Sequence, residues 1–241
     1  MVSIYDYLAS NPYPGRGVAI GKTADGKHAV ILYFIMGRSV NSRNRIFVPL
    51  EEPLGEGIRT EAFDPSKLSD PSLIIYAPVR MATDGRTVVT NGDQTDTIVE
   101  TLASGGTFAD ALRTREFEPD APNFTPRISG VLEVKGGKAS YKLSILKKSP
   151  YCDGCDRQFF EYAEPANGVG HIIHTYACDG DPIPSFAGEP VAFGVGSDLK
   201  SIADGVWNSL HPENKVSLFA RFVSLEDGKT ETLLYNKNEK E

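Results

Sequence analysis

The stretch His28-Ala29-Val30-Ile31-Leu32-Tyr33-Phe34-Ile35-Met36 is apolar almost without a break and is bounded by Gly26 and Gly37. Its length and its β-branched and aromatic residues predict a buried strand rather than a helix. Working outward, Gly17 to Ile20 reads as its hairpin partner across Asp25-Gly26, a favoured turn pair. Asp84-Gly85 and Asp227-Gly228 repeat that signal before strands at Thr87–Thr90 and Thr230–Tyr235. Gly136-Gly137 separates strands predicted at Arg127–Val134 and Ala139–Leu146. Further strands are expected at Leu73–Tyr76, Gln158–Tyr162, Val169–Tyr176 and Val216–Val223.

Helices are fewer. One is expected over Thr95–Ala103, ending at Gly105-Gly106. Thr107 with Asp110 forms a capping-box pattern for a short helix through Arg113. Ser197-Asp198 caps a third, Leu199 to Leu210, with Ile202, Val206 and Leu210 at helical spacing. Many antiparallel strands with few helices predict an α+β fold. No repeat or clear linker breaks the 241 residues, so one domain over 1–241 is the expectation.

Composition narrows the function classes. A 40% hydrophobic and 24% charged chain has the balance of a folded domain rather than of a disordered one. No apolar run approaches the ~20 residues that span a bilayer, so no membrane partner is expected. The start, Met1-Val2-Ser3-Ile4-Tyr5-Asp6, lacks a basic stretch followed by an apolar one, so no secretory signal is expected either. Three cysteines suit a reducing cytoplasm better than a disulfide framework. The net charge of −7 argues against nucleic acid as a partner. That charge is uneven, because residues 1–45 hold six basic residues against Asp6 and Asp25, a balance of +4, which leaves −11 for the rest. Arg38, Arg43 and Arg45 sit in one short loop, the pattern of a local anion site, with a solvated loop as the plain alternative.

Several familiar motifs fail on spacing. Gly15-Arg-Gly17-Val-Ala-Ile-Gly21-Lys22-Thr23 matches neither the dinucleotide fingerprint nor the P-loop, and it sits between strands rather than before a helix. Cys152-Asp-Gly-Cys155 with His171, His174 and Cys178 has zinc-like residue types, yet the two histidines at i and i+3 of a strand face opposite ways, so no metal is expected. No Gly-x-Ser-x-Gly elbow occurs, and Val2 after Met1 offers no N-terminal nucleophile.

Four polar blocks remain between the strands, where loops on a rigid scaffold carry ligand contacts. They are Tyr13-Pro14-Gly15-Arg16, Gly37-Arg38-Ser39 through Asn44-Arg45, Thr90-Asn91-Gly92-Asp93-Gln94-Thr95-Asp96-Thr97-Ile98, and Glu118 through Thr125-Pro126-Arg127-Ile128. In this order they resemble the archaeal-type IMP cyclohydrolase family and its bacterial relatives, with a weaker echo at Thr175-Tyr176. The Arg loop differs in its middle, and the segment with Cys152 and Cys155 has no counterpart in that pattern.

The resemblance implies a four-layer αββα sandwich similar to the N-terminal nucleophile hydrolases, without a processed nucleophile. It implies ring closure of 5-formamidoimidazole-4-carboxamide ribotide to inosine monophosphate (IMP) with loss of water. The partner is then a small phosphorylated ribotide, with no cofactor and no metal required. Carried onto this sequence, Arg45, Tyr76 and Glu118 are the expected catalytic residues, with Glu116 and Asp120 competing for the carboxylate role. Arg16, Arg38, Asn44, Asn91, Asp93 and Arg127 are the expected substrate-binding residues, Arg127 also orienting Glu118 through a salt bridge. For Asn91 and Asp93 the alternative is turn and helix-cap chemistry. A nucleotide-binding module without turnover, or a hydrolase acting on a related ribotide, uses the same anion pocket and stays the competing expectation. A homo-oligomer is compatible with the sequence, which does not set the oligomeric state.

Overall fold

In a computed structural model, described over residues 1–51, 55–67, 75–83 and 85–238, the protein is α+β with two antiparallel sheets. Helix α1 (Ile4–Ala9) precedes strands β1 (Arg16–Lys22) and β2 (His28–Met36). The four-residue helix α2 (Val40–Arg43) leads into β3 (Arg45–Pro49), β4 (Gly57–Ala62), a 3-10 turn at Pro65–Lys67, β5 (Val79–Met81) and β6 (Thr87–Thr90). Helices α3 (Gln94–Ala103) and α4 (Phe108–Arg113) follow, then β7 (Arg127–Lys135), β8 (Lys138–Lys148), β9 (Cys155–Tyr162), β10 (Val169–His174) and β11 (Val191–Gly194). Helix α5 (Leu199–Ser209) and the hairpin β12 (Lys215–Ser224) and β13 (Thr230–Asn236) complete the order. One sheet runs β11-β10-β1-β2-β12-β13 and the other β3-β4-β5-β6-β7-β8-β9.

The apolar run 28–36 is continuous because β2 is covered on both sides. Ala29, Ile31, Tyr33 and Ile35 point into the space between the sheets, against Val89, Ile128, Leu143 and Ile145. Val30, Leu32, Phe34 and Met36 point the other way, into a second cluster with Leu8 of α1 and Ile202 and Val206 of α5. A third cluster joins Ile98, Leu102 and Phe108 of α3 and α4 to Val88 and Val131 on the outer face of the second sheet. Each fully buried aliphatic side chain contributes about 1.5–3 kcal/mol, so both faces of β2 add to the cohesion of the two layers they join.

The glycine-rich segment that failed as a nucleotide loop has a structural reason. Val18 and Ile20 face the inter-sheet core, which puts Gly17, Ala19 and Gly21 on the outer face of β1. Gly17 is opposite Phe34 in the ladder, and a Cβ there would fall 2.2 Å from the Phe34 ring. Gly17 therefore makes room for an aromatic ring, and Gly21 lets the Gly170 backbone approach closely.

The predicted hairpins and the three predicted helices are present, with both helix caps made. Thr107 and Asp110 close a capping box, and Asp198 accepts from the Ser201 amide. The predicted strand at Leu73–Tyr76 is not one in its described part: Leu73 and Ile74, like Asp84, lie outside the described residues, and Ile75 and Tyr76 are irregular. Tyr76 is instead held by Thr60 of β4, whose Oγ1 accepts from the Tyr76 amide while the Thr60 amide donates to the Tyr76 carbonyl. Strand β10 stops at His174 rather than Tyr176. Tyr176 then forms an isolated bridge with Ser185.

His174 ties α1 to the first sheet. Its Nδ1 donates to the Tyr176 carbonyl at 2.8 Å, which leaves Nε2 to accept from the Tyr7 hydroxyl at 2.6 Å. Burial dominates its titration, lowering the pKa from 6.5 to about 4 against the opposing pull of the Tyr176 carbonyl. The unfolded chain thus gains a proton here near pH 6.5 and the folded protein only near pH 4, so this residue's contribution to stability is lost as pH falls through that window. His174→Gln is expected to flatten the fall in melting temperature between those pH values. Parallel wild-type and variant curves would count against it. Gly17→Ala is expected to lower unfolding free energy by about 1–3 kcal/mol through overpacking against Phe34, read by urea denaturation; a change within error would refute the steric account.

Candidate active site

Gly37 to Arg45 folds as a compact corner. Ser39 and Ser42 cap α2 reciprocally, the Ser42 amide donating to Ser39 Oγ and the Ser39 amide to Ser42 Oγ. Arg43 fastens the corner by donating to the Gly37 carbonyl and to Asn214 Oδ1. The turn aims Arg45, the first residue of β3, inward, where it is 1% exposed. Its Nε donates to the Ser42 carbonyl at 2.8 Å and its Nη2 reaches the Met36 carbonyl at 3.4 Å, while Nη1 is buried without a partner. Burial, and after it the neighbouring Arg16 charge, lowers the Arg45 pKa from its ordinary value. A guanidinium stays charged despite such a shift, so the cost stays in the site.

Arg16 begins β1, and its Nε is likewise buried without a partner. The segment before it is pinned to the strand opposite. Gly15 adopts φ +78°, and a Cβ there would lie 2.2 Å from Thr175 Oγ1, so only glycine permits the approach. Thr175 Oγ1 accepts from the Arg16 amide and donates to the Pro14 carbonyl. Tyr13 stacks on Tyr176 with ring centroids 5.8 Å apart, and the Arg38 guanidinium lies over the Tyr13 ring at 5.1 Å. Arg38 also pairs with Asp179 and donates to the Gly180 carbonyl.

These groups border one cleft of about 320 Å3. Arg16, Arg38 and Arg45 line it with Tyr13 and Tyr176, and Ser39, Asn41 and Ser42 come from the corner. Asp120, Asn123 and Ile183 complete the wall. Among the described residues, neither Arg16 nor Arg45 has an ion-pair partner. Asn41 Oδ1 is another buried atom without a hydrogen bond. The cleft is thus a site that holds buried positive charge and free hydrogen-bonding capacity.

A second polar cluster is built on the helix-start block. Glu118 Oε1 pairs with Arg127 Nη1 at 2.8 Å, and the same nitrogen contacts Asp93 Oδ1 and Gln94 Oε1, each at 2.7 Å. Glu118 is 8% exposed, and its Oε2 is buried without a partner. Burial pushes the Glu118 carboxyl up from its ordinary value, opposed first by Arg127 and then by Arg16. The cluster therefore lies within electrostatic reach of the cleft arginines without lining the cleft.

The remaining expected site residues are placed as follows. Tyr76 is buried, shares a hydroxyl–hydroxyl hydrogen bond with Tyr33 at 2.9 Å, and lies within electrostatic reach of Arg16 and Arg45. Asn44 does not line the cleft: its amide donates to the Asp64 carbonyl and accepts from the Asp64 amide. Asn91 is spent in the same way, accepting from the Ile128 amide and from Gln94 while donating to the Pro126 carbonyl. Asp93 makes no side-chain cap for α3 and instead pairs with Arg115 and Arg127. Ile183, and Asp179 behind Arg38, carried no signal in the sequence. Their segment was marked only by the Thr175-Tyr176 echo.

The cysteine segment does not assemble. Cys152 and Cys178 are exposed, Cys155 is partly buried, and all three are unpaired. His171 bonds to Tyr141 and stacks on Tyr162 of the second sheet, whereas His174 faces Tyr7, so the two point to opposite sides of β10. Among the described residues no group of three or more His, Cys, Asp or Glu side chains could hold a metal ion. No helix among them is long and apolar enough to cross a membrane.

Comparison with known proteins bears on the chain as a whole. A curated relative, the IMP cyclohydrolase of Methanopyrus kandleri, is 26% identical over 196 residues, covering 72% of this chain and 89% of that protein. The family model described as IMP cyclohydrolase-like protein matches residues 13–228, a span that opens at Tyr13 and takes in every residue bordering the cleft. By the extent of that match, the chain belongs to the IMP cyclohydrolase-like protein family.

Proposed function

We propose that this protein is an IMP cyclohydrolase, closing the purine ring of 5-formamidoimidazole-4-carboxamide ribotide. The observation that carries the reading is the pair of arginines, Arg16 and Arg45, that present buried guanidinium nitrogens without a hydrogen-bond partner at one cleft and have no ion-paired carboxylate among the described residues. Uncompensated buried charge is costly, and a phosphorylated ligand removes that cost on binding.

In this reading Arg16 and Arg38 hold the phosphate. The free Nη1 of Arg45 donates to the formyl oxygen as negative charge builds there, and the Tyr76 hydroxyl, paired with Tyr33, supplies a polar floor. The carboxamide nitrogen forms its bond to the formyl carbon of the same molecule, so most of the gain comes from holding the two groups in contact. The carboxamide end of the ligand reaches past the cleft wall to Glu118, whose free Oε2 takes one carboxamide proton. As the formyl C–O bond breaks and a C=N bond forms to the formamido nitrogen, that nitrogen gives up the second proton and the formyl oxygen leaves with both as water. Burial makes this carboxylate a stronger base than an exposed one, while Arg127, fixed by Asp93 and Gln94, holds its other oxygen. Asn91 and Asn44 support the site by bracing the backbone around it.

The same reading treats residues 1–241 as one cyclohydrolase domain. Its sheets, covered outside by α1 and α5 on one face and α3 and α4 on the other, support likeness to the N-terminal nucleophile hydrolase sandwich. Three unpaired cysteines support a cytoplasmic setting. The Arg127 ion pair on Glu118 favours one competitor, a ribotide-binding module without turnover.

Adding the formamido ribotide and following ring closure by ultraviolet absorbance tests the proposal; folded wild-type protein with no rate above background overturns it. Arg45→Met is expected to lower kcat by about 100-fold, the usual cost of losing one oxyanion donor. Because the base works deprotonated and its pKa is raised, kcat/KM is expected to fall on acidification with a midpoint above 4.5, the ordinary value for this carboxyl. Glu118→Gln should abolish turnover while retaining ligand binding, and a variant that still turns over with the same acid limb would remove Glu118 from the role.

A further inference from the structure

We propose that Asp120 reads the ribose of the ligand by accepting from its vicinal hydroxyls, which makes the cleft selective for ribotides over deoxyribotides. The proposal rests on the ribotide reading above. Among the described residues that border the cleft, Asp120 is the only carboxylate. Although Arg16, Arg38 and Arg45 share that cleft, Asp120 has no ion-pair partner among the described residues. Its orientation is fixed from one side by a single residue. The Thr125 amide donates to Oδ1 at 2.6 Å, and the Thr125 hydroxyl donates to Oδ2 at 2.5 Å.

Each carboxylate oxygen has two lone-pair directions, so each keeps one for a second donor. The neighbouring hydroxyl is set by the same arrangement. Thr125 has one hydroxyl proton and gives it to Asp120, so the 2.5 Å contact with Tyr176 requires the tyrosine to donate to Thr125. Tyr176 can then only accept from anything else. This edge of the cleft is accordingly an acceptor edge with a fixed negative charge. It repels a phosphate, which belongs with the arginines, and it suits neutral paired donors. On a ribotide those donors are the 2′ and 3′ hydroxyls, spaced to meet the two oxygens of one carboxylate. Asn91 and Asp93 do not compete for the task, since one is consumed by backbone groups and the other by two arginines.

Calorimetric titration of wild type, Asp120→Asn and Thr125→Val with IMP, 2′-deoxy-IMP and 3′-deoxy-IMP tests the assignment without requiring turnover. Wild type is expected to bind IMP about tenfold or more tightly than either deoxy ligand, the cost of leaving a charged acceptor unmet. In Asp120→Asn that ratio should fall to within about twofold. Thr125→Val keeps the carboxylate but frees it to turn, so its ratio should also fall. It carries the test if the first variant fails to fold. A wild type that binds IMP and both deoxy ligands equally overturns the ribose assignment and leaves the ring-closure reading standing, as does an undiminished ratio in the folded variants. Failure of wild type to bind IMP at all overturns both.

Discussion

The architecture depends on one strand that has no solvent face. Because β2 is apolar on every residue from Ala29 to Met36, it must be covered twice, once by a second sheet and once by helices. A single sheet with helices on one side would leave half of it in water at a cost of about 1.5–3 kcal/mol for each large side chain. The neighbouring strands meet the same demand with less material. Thus β1 uses Gly17 where Phe34 needs its room, and β12 is buried along nearly its whole length.

The position of the cleft follows from that core. Arg16 at the start of β1 and Arg45 at the start of β3 are strand-end residues at one edge of the sandwich, where apolar packing stops and loops begin. The scaffold is stiff there because backbone hydrogen bonds fasten each loop. Thr175 joins the two segments flanking Arg16, Arg43 closes the corner that aims Arg45, and Asn123 holds the Ile183 amide. The charged groups themselves contribute little to this cohesion. Arg45 is held by the Ser42 and Met36 carbonyls, which fix direction but do not neutralise charge, whereas Arg38 pairs with Asp179.

What was legible in the sequence was what repeats or concentrates locally. The run 28–36, the turn pairs Asp25-Gly26, Gly136-Gly137 and Asp227-Gly228, and the caps of α4 and α5 are short-range signals, and the structure uses each of them. Strands β3 and β4 were not foreseen because their physical basis is remote. Arg45 reads as the end of a polar loop, yet it begins a strand whose other faces are met by β4 and by Asn236, whose side chain bonds both the amide and the carbonyl of Phe47. The same limit applies to the site. The arginine block stands out because its charges are adjacent in the chain. Asn44, Asn91 and Asp93 are residue types that bind ligands equally well, and only the fold reveals that their hydrogen bonds are committed to backbone or to arginines. Ile183 and Asp179 are beyond reach for the opposite reason, since their contacts are with residues about 60 and 141 positions away.

The uneven charge also bears on how a ligand arrives. With a net charge of −7, the body of the protein repels an approaching phosphate at long range, whereas the three cleft arginines attract it only at close quarters. Dissolved ions screen the first effect over roughly 10 Å but reach a recessed guanidinium far less. Moderate salt therefore lowers the outer barrier while sparing the inner grip, and capture speeds up before it weakens.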